Sequence, residues 1–200
     1  MKMNATSITA GEHEMQWAYS ARGRVAMFGL IAAEAAIFTI FVVAYLFYIG
    51  KSLTGPTPKD VLSVPIFYTI CLLSSSVTIH AAVKALSKGN ERGFGAWWLA
   101  TITLGTAFVY GTVTEWRRLI YQEGLTISTN LFGTTYYSLV GLHGFHVTVG
   151  LVGLSMIAIF TLRGNVTSAE TERVDVFSLY WHFVDAVWVV VFTVVYVLGR

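Results

Sequence analysis

Five stretches of this 200-residue chain are each long and apolar enough to cross a bilayer, and that property removes most other folds from consideration. Crossing about 30 Å of hydrocarbon takes about 20 helical residues. The runs fall near 25–50, 61–86, 94–119, 131–162 and 176–199. Inside hydrocarbon every backbone N–H and C=O must find its partner within the segment, so the runs must be helices. The connectors "GKSLTGPTPKD", "SKGNERG", "QEGLTISTN" and "RGNVTSAETERVD" hold the turn-forming residues. The sequence therefore predicts an all-α polytopic membrane protein, a five-transmembrane-helix bundle. Residues 1–23 read as a polar N-terminal tail in water, and residues 24–200 as one membrane domain.

Composition excludes several functions. Hydrophobic residues make up 55% and charged residues 12%, about half the usual charged share of about 25% in a soluble domain. Net charge is only +2, without a basic block, so nucleic acid is not an expected partner. The single cysteine, Cys71, rules out an internal disulfide and a cysteine-built metal site. No P-loop, dinucleotide fingerprint or Ser/His/Asp order supports a soluble catalytic scheme.

Basic residues assign the two sides. Lys2, Arg22, Arg24, Lys84, Lys88, Arg92, Arg163 and Arg173 fall on one side, and Lys51, Lys59, Arg117, Arg118 and Arg200 on the other. By the positive-inside rule the N-terminus is cytoplasmic and the C-terminus external or periplasmic. Trp97, Trp98, Trp116 and Tyr121 near span ends read as an interfacial belt.

Against this background the polar groups at depth stand out. Glu34, in "LIAAEAAIF", lies about 14 Å inside the first span, near the midplane. His143 and His146 sit in the middle of the fourth span, His182 and Asp185 in the fifth, Glu115 near the outer end of the third, and His80 near the inner end of the second. A charge at mid-bilayer costs at least about 2.5–3.5 kcal/mol, so such groups face other helices or water. His143, His146, Gly150 and Gly153 recur at i, i+3, i+7 and i+10, on one helix face, where glycines admit a close neighbouring backbone. The small residues around Glu34 suggest close packing there too. His182 and Asp185, one turn apart, are placed to bond each other or a neighbouring helix. The hydroxyls of "SSSVT" (74–78) can bond back to their own helix carbonyls. Glu34 is then either a protonated acid bonded to a neighbour or a proton-exchanging carboxylate. Two histidines at i, i+3 lie on one side of any ligand and cannot both be axial to one heme; three or four His and carboxylate ligands could still assemble from several helices, but the histidines read first as packing groups and no metal ligand is assigned.

The segments "LHGFHVTVG", "YWHFVDAVW", "LATITLGTAFVY" followed by Glu115, and "LTISTNLFGTTYYSLVGLHG" resemble subunit III of the heme–copper respiratory oxidases. The resemblance runs from Arg24 to the end of the chain, in the five-helix bacterial form that lacks the first two helices of the seven-helix members. It implies an accessory subunit of a proton-pumping terminal oxidase in the bacterial plasma membrane. Oxygen reduction to water, with cytochrome c or quinol as donor, would happen in a neighbour, and this chain would carry no heme, copper or catalytic centre. The main partner implied is subunit I, then subunit II, with phospholipid bound alongside. Glu34 looks like the family's membrane-buried glutamate, facing a lipid-lined cleft near the large subunit. Arg24 and Arg163 match positions that contact lipid headgroups. His143, His146, His182 and Asp185 match positions inside the bundle, whereas His80 is offset from the family's histidine segment. Two other readings remain open: a small b-type cytochrome, and a proton-coupled transporter using Glu34 and Asp185.

Overall fold

The computed structural model describes residues 5–52, 54–164 and 167–199, with side chains from Arg22 onward apart from Ser168. Five long helices carry the five spans: α1 (Ala5–Tyr48), α3 (Ile66–Ser87), α4 (Glu91–Tyr121), α5 (Leu131–Leu162) and α6 (Thr171–Phe192). A single turn, α2 (Pro58–Val61), lies in the first connector, and a π-helical turn, Thr193–Leu198, continues α6. Five segments of these helices have the length and hydropathy of membrane spans.

Local chemistry sets the boundaries. The second span starts at Ile66, later than its apolar run, because Pro65 lacks an N–H and pushes the preceding residue into extended backbone. Asn90 caps α4 by accepting from the Gly93 N–H at 2.9 Å, and Asn130 caps α5 by accepting from the Gly133 N–H at 2.8 Å. The Asn130 amide also donates to the Thr54 and Pro56 carbonyls, both at 3.1 Å, fastening the first connector to the third. Gly89, at φ +72°, makes the tight reversal between α3 and α4 that a side chain would strain. At the N-terminus the backbone is helical from Ala5, so much of the stretch expected as a tail continues α1. Lys2 and Arg200, used in the charge balance, lie outside the described residues.

Helices α3, α4, α5 and α6 pack in a closed ring, each against the next, with α6 returning to α3. Helix α1 lies outside the ring, against the seam of α5 and α6. Thus α6 is the most enclosed span and α1 the least, with Val25, Phe28, Ile40, Val43 and Phe47 all facing outward. Three buried tryptophans fasten the ring. The indole N–H groups of Trp98, Trp181 and Trp188 donate to the Leu154 carbonyl (2.9 Å), Ser75 Oγ (2.8 Å) and Thr69 Oγ1 (3.2 Å). Trp98 is therefore a core residue, not a member of the interfacial belt: its ring packs on Phe94 and its N–H is spent on α5. Trp97 and Tyr121 are exposed, as belt residues should be.

Candidate functional site: a buried polar core and its carboxylates

Glu34 meets His146. Its Oε2 lies 2.9 Å from His146 Nε2, linking α1 to α5 across the seam. The His146 side chain is nearly buried, whereas Glu34 keeps 22% of its side-chain surface open. On the far side of the ring, His146 Nδ1 lies 2.7 Å from the Leu142 carbonyl. A carbonyl only accepts, so Nδ1 carries a hydrogen. The contact between Nε2 and Glu34 then holds one proton, placed either on the acid or on the imidazole. The Tyr180 hydroxyl donates to the His146 carbonyl at 3.3 Å, and the Phe38 ring packs 5.0 Å from the imidazole. Of the small residues around Glu34, Ala35 is half-buried, whereas Ala32, Ala33 and Ala36 are exposed and do not pack against another helix of this chain.

His143 is fully buried but bonds nothing among the described residues through either ring nitrogen. It packs on Trp188 (5.0 Å between ring centres), Phe108 (5.7 Å) and Phe38 (6.4 Å). The glycines on its face do not admit a backbone, as their spacing had suggested; they admit rings. A Cβ on Gly150 would come within 2.8 Å of the Trp181 ring, and one on Gly153 would run into Phe177.

His182 and Asp185 do meet, through a serine. Ser76 Oγ lies 3.0 Å from His182 Nδ1 and donates a short hydrogen bond to Asp185 Oδ2. The serine run therefore does more than bond its own helix: Ser75 donates to the Leu72 carbonyl at 2.6 Å and receives the Trp181 N–H, and Thr78 bonds Thr101 at 2.8 Å. Nothing in the sequence distinguishes Ser76 from Ser74; the crossing of α3 and α6 selects it. His80 is exposed on α3.

At the bundle end with the 49–65 and 122–130 loops, Arg118 gathers a second cluster. Its guanidinium bonds both Glu115 oxygens (2.6 and 3.2 Å), Glu123 (3.1 Å) and the Val61 carbonyl (2.6 Å). Ser63 donates to Glu115 at 3.1 Å. At the opposite end Arg24 pairs with Asp175 at 3.2 Å, with both partly exposed, and Arg163 is exposed after the last turn of α5. Sequence reasoning passed over Asp175, because a carboxylate in a polar connector carries no signal until α1 is placed beside α6.

This arrangement has a clear chemical character. Among the described residues no three His, Cys, Asp or Glu side chains converge as a metal site. The nitrogens of His146 and Nδ1 of His182 are committed to protein partners, and the His143 ring fills a space between aromatic rings. The polar groups join helices to one another. The fold and the site together define a five-helix integral membrane protein whose buried polar groups serve mainly to join its helices.

Residues 3–200 match the family described as cytochrome c oxidase subunit III. Among similar proteins, cytochrome c oxidase subunit 3 of Alkalihalophilus pseudofirmus is 34% identical over 84% of this chain and 83% of its own length. Quinol oxidase subunit 3 of Bacillus subtilis is 31% identical over 90% of each. Cytochrome bo(3) ubiquinol oxidase subunit 3 of Pseudomonas aeruginosa is 32% identical over 94% of this chain and 91% of its own. The chain belongs to the cytochrome c oxidase subunit III family.

Proposed function

We propose that this chain is the non-catalytic subunit III of a heme–copper terminal oxidase, with oxygen reduction carried out in a neighbouring subunit I. Electrons would come from cytochrome c or quinol; relatives carry both names. The observation that carries this reading is the state of α1. It is held to the bundle on one flank by the Glu34–His146 and Arg24–Asp175 contacts, while Val25, Phe28, Ile40, Val43 and Phe47 stay uncovered by the described residues. A helix in that position suits a contact with a larger membrane partner, with subunit II and phospholipid alongside. On this reading Glu34, open at that flank, exchanges protons at the boundary with subunit I. Arg24 and Arg163 hold lipid headgroups at the cytoplasmic side, with Arg24 orienting its guanidinium through Asp175. The N-terminus lies in the cytoplasm and the chain in the bacterial plasma membrane.

The test is purification of the complex from solubilised membranes by a tag on this chain. A large heme-bearing subunit at one-to-one stoichiometry, with its absorption spectrum, supports the proposal. Recovery of the chain as a stable species free of any oxidase overturns it. A Soret band on the isolated chain, lost in His146→Ala, would establish the cytochrome reading instead.

A further inference from the structure

At the loop-rich end of the ring, α3, α4, α5, α6 and the π-helical turn line a small, partly open cavity. Its polar lining includes Glu115, Tyr136 and Tyr196 together with the half-buried Tyr68, and its apolar walls include Phe108, Val140 and Trp188. Of the other polar groups on this wall, Thr112 donates to the Phe108 carbonyl at 3.1 Å, and the Trp188 N–H is bonded to Thr69. Tyr136 and Tyr196 are both buried, with their hydroxyl oxygens 3.5 Å apart. That is well beyond the usual O–H···O spacing of about 2.7–2.8 Å, so the bond between the two phenols is weak and uses at most one of their two hydroxyl hydrogens. Glu115 has capacity left: among the described residues its Oε2 accepts only from Arg118 Nε, at 3.2 Å, although a carboxylate oxygen has two acceptor positions. The space a water-sized sphere can enter is about that of one molecule, and a buried water needs two to four polar partners.

We propose that this cavity is a hydration site holding one structural water. The water accepts the hydroxyl hydrogens of Tyr136 and Tyr196 and donates to the Glu115 carboxylate. Three partners are the usual number for such a water. Tyr196 is carried by the π-helical turn Thr193–Leu198, and such turns are frequent at functional sites. It also gives the water a consequence. It joins α5 and the end of α6 to the Arg118 cluster, and so to the α2 connector through the Val61 carbonyl. The ends of the ring helices become one hydrogen-bonded unit instead of two.

The test uses the intact oxidase complex. A high-resolution cryo-electron microscopy map should show a spherical peak within hydrogen-bond distance of both phenol oxygens and Glu115. A filled wall with no peak, or phenol oxygens closed to a direct bond, overturns the proposal. Thermal melting of the complex gives an independent reading. If one water serves all three groups, Tyr136→Phe with Tyr196→Phe, and either with Glu115→Gln, lowers the melting temperature by less than the sum of the single losses. If only the two tyrosines couple and Glu115→Gln adds independently, the tyrosines bond each other directly and the water is excluded.

Discussion

One proton lies between Glu34 and His146, and which atom holds it decides how each substitution behaves. Because Nδ1 keeps its hydrogen on the Leu142 carbonyl, Nε2 can accept from a neutral donor at position 34. The amide of Glu34→Gln supplies one. We expect Glu34→Gln to cost about 1 kcal/mol or less, the scale of one exchanged hydrogen bond, and to leave subunit assembly intact on a sizing column. His146→Leu removes the partner and strands the acid at the seam. Its cost should reach about 1–3 kcal/mol, seen as a lower melting temperature or loss of the subunit from the complex. Equal effects from the two variants would mean that the pair is not a shared-proton contact. The sequence marked both residues by their depth, but their pairing was not legible. They stand 112 positions apart, and their meeting depends on α1 taking the α5–α6 seam.

The fourth span reads as apolar apart from its two histidines, yet its glycines are not equivalent at the scale of a helix. Gly150 and Gly153 receive aromatic rings from α6, whereas Gly144 has no atom within 4 Å of where a Cβ would stand. Gly150→Ala and Gly153→Ala should each destabilise by about 1–3 kcal/mol, the usual cost of overpacking a filled core. Gly144→Ala should be neutral or slightly stabilising, because alanine favours helix. Comparing the three melting temperatures checks the assignment, and equal losses at all three would refute it. Spacing along α5 was enough to place these glycines on the histidine face. What fills the gap was not readable, since a glycine admits either a backbone or a ring and only the opposing helix decides.

Across the whole molecule, one arginine and one uncovered helix control how the parts hold together. Arg118 connects the end of α4 to the chain entering α3 through the Val61 carbonyl. Arg118→Gln should leave the spans folded but raise hydrogen exchange over residues 54–65. Unchanged exchange there would show that the cluster does not hold the connector. Placing a photoreactive side chain at Ile40, exposed on α1, tests the proposed docking flank. Crosslinking to a large subunit in native membranes is the expected outcome, and labelling of lipid alone would move the contact elsewhere.

The number of membrane spans, their approximate limits and the turn residues between them follow from the sequence alone, though not the extension of α1 back to Ala5. A bilayer demands long apolar segments and internally satisfied backbone, and both demands are local. The depth of each ionisable group is equally local, because it needs only the rise per residue. Family membership was also visible in short motifs. Which polar group answers which was decided only by the tertiary structure: Ser76 chosen over its neighbours for His182 and Asp185, Trp98 turned into the core, and His143 packed among rings. Those outcomes depend on how helices distant in sequence cross and rotate. Every span of this chain is apolar around most of its circumference, so periodicity says little about which face turns inward, and the packing of the ring settles it.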